Sequence, residues 1–212
     1  MKRKDFSKLK IHVQKEKNTY FKHEDFIAGV APNLRGIYAS MYFQTPLIIE
    51  YKENLIPEEN QTPEIELANF LAKSLNYIKN GIDNKKSIDN VISQLSFETT
   101  IGKNQFNEIA KMRAARILWA KMVKQFNPKN QESFALKINV QIHNSIDIFP
   151  VVLGGCQSII TDNTTNLNFV KETFIFKTID PLAGSTFIEK RTEDIANNAW
   201  QIFVKKTNFL NS

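Results

Sequence analysis

The chain has 212 residues, 42% of them hydrophobic and 24% charged, which is enough for one soluble globular domain or for a piece of a larger one. Its formal net charge is +6, yet no helix-turn-helix, zinc-finger or aromatic RNA-binding pattern accompanies that charge, so no nucleic-acid partner is expected. No apolar run reaches the roughly 18 residues of a membrane-spanning helix, so no membrane partner is expected either.

Lys2, Arg3, Lys4, Lys8, Lys10, Lys15 and Lys17 crowd the start. No apolar stretch follows them, so the segment does not read as a secretory signal. A solvated basic arm is the plain reading, and a phosphate-rich partner is the functional one. Residues 8–13, KLKIHV, alternate as a half-buried strand does. Residues 26–34 are turn-rich, and 35–46 form a compact aromatic stretch that ends at Pro46. Residues 52–62 read as a polar linker.

A helix is expected to start at Thr62-Pro63. Threonine caps, and proline suits a first helical position because its missing N–H is not needed there. Glu64 and Glu66 suit the positive end of the helix dipole. Ile65, Ala68, Leu71, Leu75 and Ile78 predict the buried face, and Gly81 the stop. Leu95 to Phe97 reads as a short strand. A second helix carries Phe106, Ala110, Ala114, Leu118, Met122 and Phe126 at every fourth position. Lys111, Lys121 and Lys124 are expected in solvent, with Glu108 pairing along the helix surface, and Asn127-Pro128 ends the element.

Residues 134–143, FALKINVQIH, alternate without a break. Phe134, Leu136, Ile138, Val140 and Ile142 take one face, and Lys137, Asn139, Gln141 and His143 take the other. Residues 148–155 read as a buried element entering a glycine turn. Cys156 is the single cysteine; it excludes an intramolecular disulfide and fits a reducing, cytoplasmic setting. Phe174 to Phe176 suggest a strand and Pro181 to Ser185 a turn. A last helix is expected near Thr192, with Glu193 and Asp194 in its first turn and Ile195, Ala199, Ile202 and Phe203 on its inner face. Helices interleaved with short strands predict an α/β protein of βα units.

Three strings go further. Residues 104–120 read NQFNEIAKMRAARILWA, residues 154–158 GGCQS, and residues 180–189 DPLAGSTFIE. Together they resemble the methylmalonyl-CoA mutase family of isomerases. The resemblance implies a (β/α)8 barrel with acyl-CoA threaded through it and a separate domain that holds adenosylcobalamin. It divides the chain into a basic arm and barrel-entry segment (1–46), a polar linker (47–61), a partial barrel domain (62–206) and a tail (207–212). A complete barrel takes about 250 residues, so the fold expected here is a partial TIM-barrel-like domain with missing βα units. The units absent between Pro46 and Thr62 carry the family's catalytic histidine and its substrate-contacting arginine.

By the same resemblance, Tyr38 and Met41 lie beside acyl-CoA, with Ser40 replacing a threonine there; Lys137 replaces the arginine of the family string RTHCQTS, and Gln141 keeps its glutamine. Gln157 corresponds to a glutamine near the corrinoid. Thr45 stands where the family has an arginine, and Ile160 where it has the histidine of GGTQSLHTN. The family's cobalt-ligand motif DxHxxG is not in this sequence, and His12, His23 and His143 have no matching context. No catalytic residue and no metal ligand is therefore assigned, and adenosylcobalamin is implied by the family alone. Three readings stay open. One is a non-catalytic subunit beside a full-length or cobalamin-domain mutase chain. Another is a split mutase completed by such a partner. The third is an eroded product without a role.

Overall fold

The structure is a computed structural model, and it describes residues 21, 23, 25–42, 47–51, 61–161 and 175–209. The strand expected at residues 8–13, the basic arm, His12, Thr45 and Phe174 lie outside the described residues.

Four parallel strands form one sheet: β1 (Ile48–Tyr51), β2 (Ser96–Thr100), β3 (Lys137–Ile142) and β4 (Ser158–Thr161), in the order β1-β4-β3-β2. Between them run α1 (Pro63–Asp83), α2 (Ile88–Ile92), α3 (Gln105–Val123) and α4 (Ile148–Leu153), and α5 (Thr186–Thr207) follows. The order is informative. In a closed β/α barrel each strand pairs with the next in sequence, and the last pairs with the first. Here β2, β3 and β4 run consecutively and β4 then pairs with β1. The sheet is therefore an arc across the seam of a barrel, and it is not closed. Its gap lies between β1 and β2 in the chain.

Register fixes the two faces. Phe97 pairs with Ile138, Val140 with Ile159, and Ile159 with Ile49. Phe97, Ile138, Val140, Ile142 and Ile159 are buried in the main core with α1, α3 and α5. The period of two then puts Glu98, Lys137, Asn139, Gln141, Ser158, Ile160, Ile48 and Glu50 on the opposite face, the inner face of a barrel.

Helix α1 begins where Thr62-Pro63 predicts, but it passes Gly81 and ends at Asp83. Gly81 sits against Val91 of α2, where a Cβ would come within 2.5 Å of a valine methyl, so close packing rather than termination requires it. Leu67, Ala68, Leu71, Leu75 and Ile78 are buried, whereas Ile65 is exposed. Helix α3 starts under an Asn104 cap that accepts from the Asn107 amide. It packs against α1, α5 and α4 and shares one core with the sheet, and 14 of its 19 residues are buried. A helix enclosed on several sides has no solvent stripe wide enough for every charge. Lys111 is accordingly buried, contrary to the expectation for it, while Lys121 and Lys124 are exposed as predicted. Phe106 is exposed rather than buried. Asn127 leaves the helix in a left-handed conformation.

Three further expectations change. Residues Ile175–Lys177 form a turn of 3-10 helix, not a strand. Helix α5 starts at Thr186, so Glu189 rather than Glu193 and Asp194 occupies its first turn. The predicted linker at 47–61 opens with β1. Ile195, Ala199 and Phe203 of α5 are buried as expected, whereas Ile202 is exposed.

Candidate functional site: a buried arginine cluster joining three strings

The residues named from the resemblance fall in two places. Lys137 and Gln141 share the inner face of β3 but lie four residues, or about 13 Å, apart. Gln141 is buried near the C-terminal end of its strand, and its amide nitrogen lies 3.3 Å from His143 Nε2. In β/α barrels that end carries chemistry, while the N-terminal end, where exposed Lys137 sits, serves stability. Between them Ser158 Oγ donates to Asn139 Oδ1 at 2.8 Å.

Tyr38, Ser40 and Met41 stand on the entry loop. Tyr38 is exposed and Ser40 half-buried. Met41 is buried in the left-handed region, with its thioether against Gly36 and Gly155. Gly155 has φ +74°, and a Cβ there would come within 2.8 Å of the Met41 methyl. Glycine is needed for both reasons. The next residue of the loop, Tyr42, donates its hydroxyl to the Cys156 carbonyl at 2.7 Å. Gln157 braces the same turn. Its Oε1 accepts from Ile138 N at 2.9 Å and its Nε2 donates to Gly155 O at 3.0 Å. Each end of that amide thus meets a backbone group of the turn or of β3.

A second constellation was not visible in the sequence. Arg113 and Arg116, three residues apart on α3, point into a buried site that also receives Arg35 from the entry loop and Asp180 and Glu189 from DPLAGSTFIE. Arg113 pairs with Asp180 and, at 3.1 Å, with Glu189. Arg35 pairs with Glu189 at 2.8 Å and with Asp180 at 3.8 Å. His23 lies 2.9 Å from Glu189, and the Gly184 amide donates to the same carboxylate at 3.2 Å. Asp180 adopts φ 42°, a left-handed turn conformation that aspartate tolerates better than most residues. Arg116 donates instead to three backbone carbonyls: Gly154 at 2.8 Å, Met112 at 3.3 Å, and Gly155. The three strings thus converge on two arginines of one helix.

Burial and charge set the protonation of the cluster. Burial alone would raise the Glu189 carboxyl. Hydrogen bonds from His23 and Arg35, with the charges of Arg35 and Arg113, override it and bring the pKa to about 2. Burial lowers Arg113, and lowers Arg116 to about 10, so both stay cationic at neutral pH. Burial pushes the Cys156 thiol up to about 12 and the Tyr42 hydroxyl up as well. Cys156 is therefore an inert packing thiol.

Lys111 forms a smaller buried cluster at the C-terminal end of β2. Its ammonium meets Glu108 at 2.6 Å, Glu66 at 2.9 Å, Thr99 Oγ1 at 2.8 Å and the Thr100 carbonyl at 3.1 Å. Glu108, raised by burial and opposed by Lys111, does pair with this lysine as the sequence predicts, but in the interior. Among the described residues no group of three or more His, Cys, Asp or Glu side chains is placed to hold a metal ion. No helix among them is long and apolar enough to cross a membrane.

Residues 48–208 match the family model for methylmalonyl-CoA mutase. The methylmalonyl-CoA mutase large subunit of Porphyromonas gingivalis is 34% identical over 177 residues, covering 68% of this chain and 25% of that protein. The large subunit of Streptomyces virginiae is 35% identical over 178 residues, covering 69% and 24% respectively. That of Propionibacterium freudenreichii subsp. shermanii is 33% identical over 175 residues, covering 68% and 24%. The chain therefore spans about a quarter of the length of the curated relatives it matches. An arc of parallel strands across a barrel seam, three diagnostic strings meeting at one buried cluster and a match over most of the sequence lead to one conclusion: the chain belongs to the methylmalonyl-CoA mutase family.

Proposed function

We propose that this chain supplies one arc of an acyl-CoA mutase barrel and acts as a non-catalytic partner of a related mutase chain. The strand order carries the reading. Four strands span the barrel seam, and among the described residues β1 and β2 end the sheet with no neighbour on their outer edges. Radical rearrangement of a carbon skeleton depends on a cofactor for its chemistry and on protein for a dry, enclosed chamber. An arc of four strands does not enclose one. Sheet edges readily pair with further strands, and a related chain is the natural source of them.

In this reading the acyl-CoA site is shared. Tyr38, Ser40 and Met41 line the entry side, and Lys137 and Gln141 face the lumen. Adenosylcobalamin resides on the partner. The compartment is the cytoplasm, in keeping with a single buried thiol.

Co-expression with a full-length mutase, followed by affinity capture and size-exclusion chromatography, tests the pairing. Co-elution in a defined stoichiometry is expected. A monodisperse monomer that ignores the mutase overturns it. Assay of the purified chain with adenosylcobalamin and methylmalonyl-CoA is expected to give no succinyl-CoA. Turnover by the chain alone refutes the proposal. Turnover only when a cobalamin-domain protein without its own barrel is added converts it to a split enzyme.

A further inference from the structure

Arg116 is 1% exposed, yet among the described residues no carboxylate lies within ion-pair distance of it. Its acceptors are neutral carbonyls, and its Nε–H has no hydrogen-bond partner. Arg35, 6% exposed, has its Nε–H in the same condition. Buried donors without acceptors are costly and uncommon, and two of them in one place need a reason. Both arginines line a single cavity of about 10 Å³, together with Tyr42, Arg113, Gly155 and Asp180. That is room for about one water-sized occupant. Thr178 and Pro181 also line it and are exposed, so the cavity can be reached from the surface.

The charge balance selects the occupant. Arg35, Arg113 and Arg116 bring three positive charges, while Asp180 and Glu189 bring two negative ones. Among the described residues one buried positive charge is left over, on the guanidinium that no carboxylate meets. A water would accept from one Nε–H and leave that charge unbalanced. A small monovalent anion in the cavity that both arginines line would neutralise the cluster.

We propose that this cavity binds one halide-sized monovalent anion between Arg35 and Arg116, and that the anion locks GGCQS, the entry loop and DPLAGS onto α3.

The test uses the full chain. Thermal unfolding is followed in sodium chloride against sodium gluconate of equal ionic strength, because gluconate is too large for the cavity. Crystals soaked in bromide are measured at the bromine edge. Chloride is expected to raise the Tm saturably, and one anomalous peak is expected between the two guanidinium groups. Arg35→Lys keeps the charge but removes the Nε–H, and should weaken the chloride effect roughly tenfold. Arg116→Met should abolish it. Where that variant does not fold, competition of nitrate with chloride in 35Cl NMR line broadening on the unmodified chain gives the same answer. Equal Tm in both salts overturns the proposal. So does an empty or water-filled cavity in the bromide crystals. A bromide peak without a saturable effect in solution marks an adventitious ion and overturns it as well.

Discussion

Glu189 is the acid on which the arginine cluster turns, and Glu189→Gln isolates its contribution. Its side chain is fully buried and lies against His23, Arg35, Arg113 and the Gly184 amide, at 2.9, 2.8, 3.1 and 3.2 Å. Glutamine keeps the shape and one acceptor oxygen, but it places an NH2 against donors and leaves Arg35 and Arg113 to share Asp180. Removing one partner from a buried charge group costs about 3–5 kcal/mol, and the retained acceptor puts this variant at the lower end, about 3 kcal/mol. At about 2–4 °C per kcal/mol for a chain of this size, the Tm should fall by about 6–12 °C. The loss should also depend on pH. The carboxyl sits near 2 in the folded chain against an ordinary 4.5, so its stabilisation is complete above about 4.5 and drains as pH falls toward 2. Urea midpoints of the two proteins should therefore differ fully at pH 7 and converge between pH 4.5 and 2. A double-mutant cycle with Arg35→Met should return a coupling of about 1–3 kcal/mol. A loss below about 1 kcal/mol at pH 7, the range of exposed ion pairs, would refute the reasoning, as would a gap that does not narrow in acid.

Trp119→Ala removes a side chain that stacks on Phe70 at 5.9 Å and donates to the Ser133 carbonyl at 3.1 Å; unfolding in urea should show a loss of about 3–5 kcal/mol. Gly154→Ala sets a Cβ within 2.3 Å of the Met112 methyl and 2.9 Å of the Pro150 carbonyl oxygen, and should cost about 1–3 kcal/mol, read as a lowered Tm. Cys156 should stay unreactive toward a thiol-specific chromogenic disulfide at pH 8 until urea unfolds the chain, since its pKa is about 12; fast reaction in the native state would contradict the burial. Asp89 accepts from Ser133 Oγ and from the amides of Asn130 and Lys129, the first of these lowering its pKa most; hydrogen exchange at those amides should quicken in Asp89→Asn.

What the sequence made legible was local. Thr62-Pro63 and Asn127 are backbone signals, and the helix ends they mark stand within a few residues of their expected places. The alternation along β3 survives because a parallel strand with one polar face keeps a period of two. The short elements were harder. The four residues of β1 open a segment that reads as linker, and the four of β4 follow directly on a glycine turn; neither is long enough to display a period. Phe187 and Ile188 begin α5, yet they read as the end of a turn because the helical period shows only further on. Lys111 failed for another reason. A lysine on a helix is assigned to solvent by default, and here Glu66 from α1 and Thr99 from β2 join Glu108 of its own helix to make its burial tolerable. The arginine cluster had the same character. Arg113 and Arg116 stood in the most diagnostic string, but their partners lie 67 and 76 residues away for Arg113, and are carbonyls 38 and 39 residues away for Arg116. No spacing along the chain encodes such a meeting.

That division bears on how a chain of this family can keep its fold while its chemistry changes. Arg113, Asp180 and Glu189 are mutually dependent, because deleting any one strands a buried charge, whereas an exposed substitution away from such features usually shifts stability by about 0.5 kcal/mol or less. The inner face of the sheet is constrained differently. Lys137, Glu98 and Ile48 there are exposed, and a change at them leaves the core intact. The strings that identify the family are thus the ones that packing protects, whereas of the positions expected to touch acyl-CoA, Tyr38 and Lys137 are exposed and Met41 and Gln141 are buried. A folded, cooperative protein carrying all three strings is therefore no measure of turnover. The activity test must be made on the assembled barrel, with each candidate partner present and absent.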